Sequence, residues 1–358
     1  MKRNAFFNKH PRMDYIQRCI RHARDPQFQE LVLGYHRNPD LLSLEQHGNK
    51  WPDFSFYDIY MDYPSKGFFA LLCQTLDALR YADRFNLVPV VTWSDRCLYK
   101  DKGEVNGSPN PFEYYFEPVS GFSRQDLSDA LHVLAYHPYQ RAWDRNHPFT
   151  VVSRTIVEGG FYNEYIRQNS LAWRKHLKLK EPVMDYIQKN MNNIGFDGSV
   201  LGIHVRATDF NKGYVNHAIA VQENQYIEAI HEALQKHPEL QRVFLATDDQ
   251  TTVETFEASF PGRIITFSDT FLSTDGEAIH FSQSQREYHK YRLGLEVIRD
   301  MYALSQCEGL IGSLSNVCIA AQIAKSAAGQ SYQYLNVIDN GFNSTGKTTY
   351  QDHFGKRC

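Results

Sequence analysis

The sequence has no closely spaced cysteine pair, no long apolar run and no marked excess of one charge. Its six cysteines, Cys19, Cys73, Cys97, Cys307, Cys318 and Cys358, stand too far apart for a metal knuckle. In a chain of 358 residues they do not suggest a disulfide scaffold either, so reduced thiols and a cytoplasmic setting are expected. The N-terminus MKRNAFFNKH lacks the apolar core of a secretory signal. No stretch approaches the roughly 18 apolar residues of a membrane span, which leaves a soluble body or peripheral membrane association. A net charge of -3 supplies no basic field, so nucleic acid is not an expected partner. G-x-G-x-x-G, H-E-x-x-H, G-x-S-x-G and Asp-x-Asp are all missing. What is abundant is aromatic: at 14%, Tyr and Phe above all, the rings imply a heavily packed core, with ligand stacking the other reading.

The length suggests two domains of roughly 150 residues each. The second half alternates regularly. Apolar strand-like runs fall at 199–206, Arg242–Thr247, Arg263–Phe267, Gly309–Gly312 and Tyr332–Ile338, and helix-like segments at Glu223–Lys236, Gln250–Ser259, Glu287–Gln306 and Asn316–Ala327. That order predicts a parallel, doubly wound α/β sheet, whose ligands sit at the carboxyl ends of the strands. In the first half, a strand at Phe54–Met61, a helix at Gly67–Phe85 and a strand at Leu87–Trp93 make one βαβ unit. A polar insertion follows at Lys100–Asn110, then a strand at 150–154 and a helix at Glu181–Asn193. The Asn192–Gly195 cluster is the expected boundary. The expected division is an irregular α/β domain over 1–195, a Rossmann-like domain over 196–340, and a tail over 341–358.

Three strand ends in the second half carry polar groups that a scaffold alone does not require. His204, Arg206 and Asp209 follow the first strand, where a guanidinium is suited to phosphate and a salt-bridged strand end is the plainer alternative. Asp248 and Asp249 close the second; one of them can serve simply as the cap of the helix beginning at Gln250. Ser313, Ser315 and Asn316 lead into the helix VCIAAQIAKSA, whose N-terminus offers free N–H groups and the positive dipole end to a diphosphate, or is plainly capped by Ser315. Asp300 lies at the edge of an apolar helical stripe and needs donors. A guanine N1–H and 2-amino group would supply them, as would Arg299, Arg292 or a backbone N–H. One motif misleads: Gly341 to Thr348 reads G-x-x-x-x-G-K-T, but the chain ends at Cys358, too soon for the helix and magnesium-binding strand of a phosphate loop.

GIHVRATD, VFLATDD, FSD at 267–269, and VIRDMYALSQ followed by GLIGSLSNVC resemble, in order and spacing, the GDP-fucose-dependent fucosyltransferases. The α-1,6-fucosyltransferases and the bacterial nodulation enzymes, with their H-V-R-R-x-D motif, are the most similar branch. In the first half, the segment from Gly67 to Trp93 and NPFEYYFEPVS are similar to that group's glycine-containing loop, helix and strand. The resemblance implies a GT-B glycosyltransferase, two Rossmann-like domains facing a cleft, which inverts L-fucose from GDP-fucose onto a glycan hydroxyl without metal or other cofactor. It implies that Arg206 holds the β-phosphate and that His204 and Asp300 lie around the nucleotide. Asp209 is the motif's acid, Asp248 and Asp249 the family's acidic pair, Gly67 and Phe68 its loop, and Ser315 or Asn316 its phosphate-binding position.

Two residues depart from the pattern. Ala207 stands where the motif has its second arginine, and Phe210 where a lysine follows. Charge on the departing GDP would then rest on Arg206, the helix N-terminus at Ser315 and Lys212. The branch's catalytic glutamate has no counterpart between Phe210 and Val221, which leaves His217, Glu223 and Asp209 as candidate bases. A transferase for another GDP- or UDP-sugar, and a non-catalytic nucleotide-sugar-binding relative, are the alternatives.

Overall fold

The computed structural model describes residues 42–136, 154–197, 199–206, 217–273 and 284–345, together with Ile20. The first sheet holds β1 (Leu42–Glu45), β2 (Phe56–Met61), β3 (Val88–Trp93) and β4 (Val133–Tyr136) in the order β1-β4-β2-β3. β2 runs parallel to both β3 and β4, and only the edge strand β1 is antiparallel. Helix α1 (Phe68–Arg84) makes the crossover between β2 and β3, the βαβ unit read from the sequence, with ends shifted by one or two residues. Thirteen of its 17 residues are buried, so it is covered all round rather than on one stripe.

The Lys100–Asn110 insertion is stitched to β3. Asn110 accepts from Trp93 N at 3.1 Å and Phe112 N at 3.2 Å and donates to Val91 O at 2.8 Å, capping a short 3₁₀ turn at Pro111–Tyr114. Three short or apolar-poor helices follow: α2 (Arg124–Leu127), α3 (Arg154–Glu158) and α4 (Tyr162–His176). The strand expected at 150–154 is corrected at its described end, where Arg154 opens α3; residues 150–153 lie outside the described residues. β1, β4 and α4 were not expected. Four-residue strands carry too few alternations to register, and α4 has just four buried residues, Tyr165, Asn169, Ser170 and Ala172, two of them polar.

After α5 (Glu181–Asn193) comes the second sheet: β5 (Val200–Val205), β6 (Arg242–Thr247), β7 (Ile264–Ile265), β8 (Gly309–Ser313) and β9 (Tyr334–Ile338). The order is β7-β6-β5-β8-β9, all parallel, with α6 (Glu223–Lys236), α7 (Gln250–Ser259), α8 (His289–Gln306) and α9 (Asn316–Ala327) as crossovers. Every residue of β5 and β8 is buried, as expected of central strands covered on both faces. β7 is shorter than the expected Arg263–Phe267. Phe267 leaves the ladder and packs its ring at 5.2 Å from that of Phe244.

Helices α1, α4 and α9 lie side by side and point the same way. At one end, Gln322 donates to the Tyr162 hydroxyl at 2.9 Å. Further along, Ser326 and Ser170 meet at 3.1 Å, and Arg174 donates to Ala327 O at 2.7 Å. On the other flank Asn169 reaches Asp77 at 3.2 Å and His176 reaches Asp83 at 2.9 Å. The N-termini of α1 and α9, which follow β2 and β8, therefore open toward the same side. A single apolar cluster runs from Leu44 through α1 to α8 and α9, so the two sheets share a core.

Asp77 sits in that core, held by Asn169, Tyr165 and Arg80. Burial outweighs those partners and raises its carboxyl to about 7. Because this lies above the unfolded value of about 3.9, the native state keeps an extra proton between roughly pH 4 and pH 7. Stability falls as pH rises through that window, and the full cost is present above it. Asp77→Asn is expected to leave stability near wild type at pH 4 and to raise it by about 2–4 kcal/mol at pH 8. Urea unfolding at the two pH values checks this; an equal effect at both would refute it.

Candidate active site

In this sheet the chain winds outward from β5 to β7, then returns to β8 on the opposite side of β5. The carboxyl ends of β5 and β8 thus flank the point where winding reverses, the crevice in which doubly wound sheets bind ligands. The sequence places His204 and Arg206 at the first of these ends and Ser313, Ser315 and Asn316 at the second.

His204 is buried, and its Nδ1 lies 2.9 Å from Ser315 Oγ. Burial, reinforced by the charge of Arg206, pushes the imidazole down to about 3, so the ring is neutral at physiological pH. When Ser315 donates to Nδ1, the ring proton resides on Nε2. Ser315 is also the N-cap of α9, accepting from Cys318 N at 3.2 Å. The capping reading of Ser315 is therefore realised, and the same oxygen meets His204. Gly312 permits this closeness, since a Cβ there would meet Cys318 Sγ at 2.6 Å. Ser313 Oγ is buried beside the Tyr226 hydroxyl with no well-formed hydrogen bond among the described residues. Asn316 is half-buried in the first turn of α9, and Arg206 is half-buried just beyond β5.

The acidic pair at the end of β6 divides its duties. Asp249 caps α7, accepting from Thr252 N at 2.9 Å and Thr252 Oγ1 at 3.1 Å. These contacts all fall on Oδ2, so capping is the role the structure shows for Asp249. Asp248 contributes its carbonyl to Ser273 N at 2.9 Å, fastening the segment after β7 to the end of β6. Glu223 opens α6, and its carboxylate lies 3.2 Å from Thr252 Oγ1, sharing that hydroxyl's one proton with Asp249.

On α8, Asp300 is half-buried and takes two donors from Arg299, Nε and Nη2, each at 3.3 Å from Oδ1. Burial raises its carboxyl to about 6 although Arg299 pulls it down. Among the described residues Oδ2 makes no hydrogen bond. Arg299 itself is fully buried, which the sequence suggests only through its place as a possible partner for Asp300. The missed signal was its spacing, four residues after Leu295 and four before Ala303 on the buried stripe.

Phe68 belongs elsewhere. Its ring is buried among Phe69, Trp93, Tyr99 and Tyr115, and its N–H is donated to the Tyr99 hydroxyl at 2.8 Å. Its side chain serves the core, which corrects its assignment to the donor. Gly67, the N-cap of α1, borders open space, with nothing within 4 Å of where a Cβ would stand. His217 is half-buried, and its carbonyl accepts from Asn343 N at 2.9 Å. Gly341 to Asn343 thus pair with His217 to Ile219 through the Ala218–Phe342 bridge, and no helix follows through Thr345. This is not the course of a phosphate loop; Gly346 to Thr348 lie outside the described residues, as do Ala207, Asp209, Phe210 and Lys212.

Residues 173–340 match the family model described as alpha-(1,6)-fucosyltransferase N- and catalytic domains. Over these residues the chain is similar to the fucosyltransferase-type glycosyltransferases. The matched span begins late in α4 and takes in α5, the whole second sheet and every strand end described above. The chain is also similar to solved fucosyltransferases. The NodZ α-1,6-fucosyltransferase soaked with GDP-fucose is 17% identical with a TM-score of 0.44, over 76% of this chain and 92% of that one. NodZ from Bradyrhizobium is 16% identical with a TM-score of 0.43, over 75% of this chain and 93% of its own. POFUT1 in complex with GDP-fucose is 10% identical with a TM-score of 0.47, over 81% and 99%. No curated protein sequence matches the chain. Among the described residues no helix is long and apolar enough to cross a membrane.

Proposed function

We propose that this fucosyltransferase-type enzyme moves L-fucose from GDP-fucose to a hydroxyl of a glycan acceptor with inversion at C1, and needs no metal ion. The observation that carries this reading is the convergence at the winding reversal of a guanidinium, a neutral imidazole and a capped helix N-terminus. All three suit an anion that gains charge. As C1 separates from GDP, negative charge builds on the β-phosphate oxygen. Arg206 and the first turn of α9 meet it, and His204 donates from Nε2. The donor's guanine lies toward Asp300, and Asp248 toward the ribose or sugar.

The acceptor approaches from the first sheet, past Gly67, and loses its proton to a base. The candidates remain His217, Asp209 and Glu223, the last lying 3.2 Å from Thr252 Oγ1. We place the acceptor-side domain at 1–195, the donor domain at 196–340 and a tail at 341–358. A reducing, cytoplasmic setting suits the buried free thiols of Cys73, Cys97, Cys307 and Cys318.

The test is GDP release from GDP-fucose, with and without glycan acceptors, in EDTA and in magnesium. Acceptor-stimulated release at equal rates in both buffers is expected. Preference for a different nucleotide sugar, or release only with magnesium, would overturn the corresponding part of the proposal.

A further inference from the structure

Arg299 is the most completely buried cation among the described residues, and its hydrogen bonds reach three segments, α5, the stretch after β7 and its own helix α8. Nη1 donates to the Tyr186 hydroxyl at 3.0 Å and to Asn190 Oδ1 at 3.2 Å, both on α5, and to Asp269 after β7. Nη2 donates to Thr270 Oγ1 at 2.6 Å, and Nη2 and Nε share Asp300 Oδ1. The guanidinium carbon lies 3.9 Å from the centre of the Phe267 ring. Every N–H is occupied and one face is stacked, so the fork has a single orientation. A charge with no solvent contact is tolerated only under such complete pairing.

The pairing is uneven in a useful way. Asp269 is half exposed and shared with the Tyr186 hydroxyl, whereas Asp300 is 13% exposed and held on Oδ1 alone. Asp300 Oδ2 keeps its lone pairs for something that arrives. Left to itself, a carboxylate rotates about χ2 or takes a proton. Arg299 opposes both, by fixing the carboxylate plane and by favouring its charged form.

We propose that Arg299 is the positioning residue of the base subsite, orienting Asp300 so that Oδ2 accepts from the N1–H and 2-amino group of guanine. This rests on the reading of Asp300 as the guanine-side residue of a GDP-sugar enzyme. Arg299 touches no substrate; it acts through Asp300. The groups facing Asp300 are Arg299 and Glu296 on α8, Asp269 from the segment after β7, and the Tyr186 phenol from α5. Glu296 is itself paired with Arg286 and accepts from Phe271 N at 3.3 Å, which leaves Arg299 as the cation that governs Asp300.

Calorimetric binding of GDP and of inosine diphosphate, which lacks the 2-amino group, tests this between pH 5 and pH 8. For the wild type, GDP is expected to bind about tenfold more tightly than inosine diphosphate at pH 7.5, weakening as pH falls through about 6. In Arg299→Met the preference should collapse toward one, GDP affinity at pH 7.5 should fall at least about tenfold, and the pH midpoint should move up. Arg299→Lys keeps the charge without the fork. Its midpoint should stay near wild type while its preference falls between the other two. A role confined to holding the fold would lower the melting temperature without changing either the preference or the midpoint, and that result overturns the proposal. If Arg299→Met gives no cooperative melt, the lysine variant decides: an unchanged preference overturns it. Failure of the wild type to bind GDP at all would reject the donor reading, and this inference with it.

Discussion

Arg206→Ala is expected to lower the rate of GDP release from GDP-fucose in the presence of acceptor by about a thousandfold. GDP affinity should fall much less, about tenfold, because the guanidinium interacts most strongly with charge that develops as the bond breaks. The neighbouring groups explain why the loss would be severe. His204 is neutral because burial, reinforced by the charge of Arg206, disfavours its protonated form, which leaves it a dipole rather than a charge. The helix N-terminus adds about half a unit charge. With Ala207 in place of a second arginine, Arg206 is the one guanidinium in the segment 204–209. Arg206→Lys should recover part of the rate, since an ammonium supplies charge without the two-pronged geometry. Steady-state kinetics on the two variants measures this, and turnover of Arg206→Ala within a few-fold of wild type would remove Arg206 from the mechanism.

The second large effect concerns the joint between the two sheets. At Gly294, in the second turn of α8, an added Cβ would stand 2.2 Å from Tyr115 Oη and 2.5 Å from its Cζ. Tyr115 has no room to retreat. It is fully buried, donates to Tyr291 O at 2.9 Å, and is stacked on the Tyr291 ring at 5.3 Å. Tyr291 is in turn fastened to the first half, its N–H donating to Asp101 at 2.9 Å and its hydroxyl accepting from Asn106 at 3.1 Å. Gly294→Ala is therefore expected to cost about 2–3 kcal/mol and to lower Tm by roughly 5 °C. Adding Tyr115→Phe, which removes the atom in closest conflict, should restore part of that loss. Thermal melts of the single and double variants check both statements; a Gly294→Ala protein as stable as wild type would mean that α8 and the 3₁₀ segment are not locked together here.

How much of this could be read in advance differed between the halves for a physical reason. β6, α6, α7 and α9 fall at their expected residues because each carries a full period of apolar positions bounded by polar ends. β1, β4 and α4 did not register. Their short runs are buried by partners distant in sequence, as when Asn169 and Ser170 on α4 are covered by α1 and α9. The site shows the same division. His204 and Arg206 stand at a strand end, and Ser315, at another, also caps α9. Asp249 and Phe68 occupy equally suggestive positions, yet one turned out to cap a helix and the other to fill the core.

The sequence alone determined the class of this protein. Its strand and helix periodicities dictate a parallel, doubly wound second half, and the segments from Gly202 to Cys318 resemble those of the fucosyltransferases, in keeping with the match over 173–340. Tertiary structure decided what each polar side chain is for. A serine's hydroxyl, an aspartate's free oxygen and an arginine's five N–H groups are assigned only when segments far apart in sequence come together: Ser315 with His204, Asp300 with Arg299, Arg299 with Tyr186 and Asp269. Periodicity reports which face of an element is buried. It carries no record of which donor meets which acceptor across the fold.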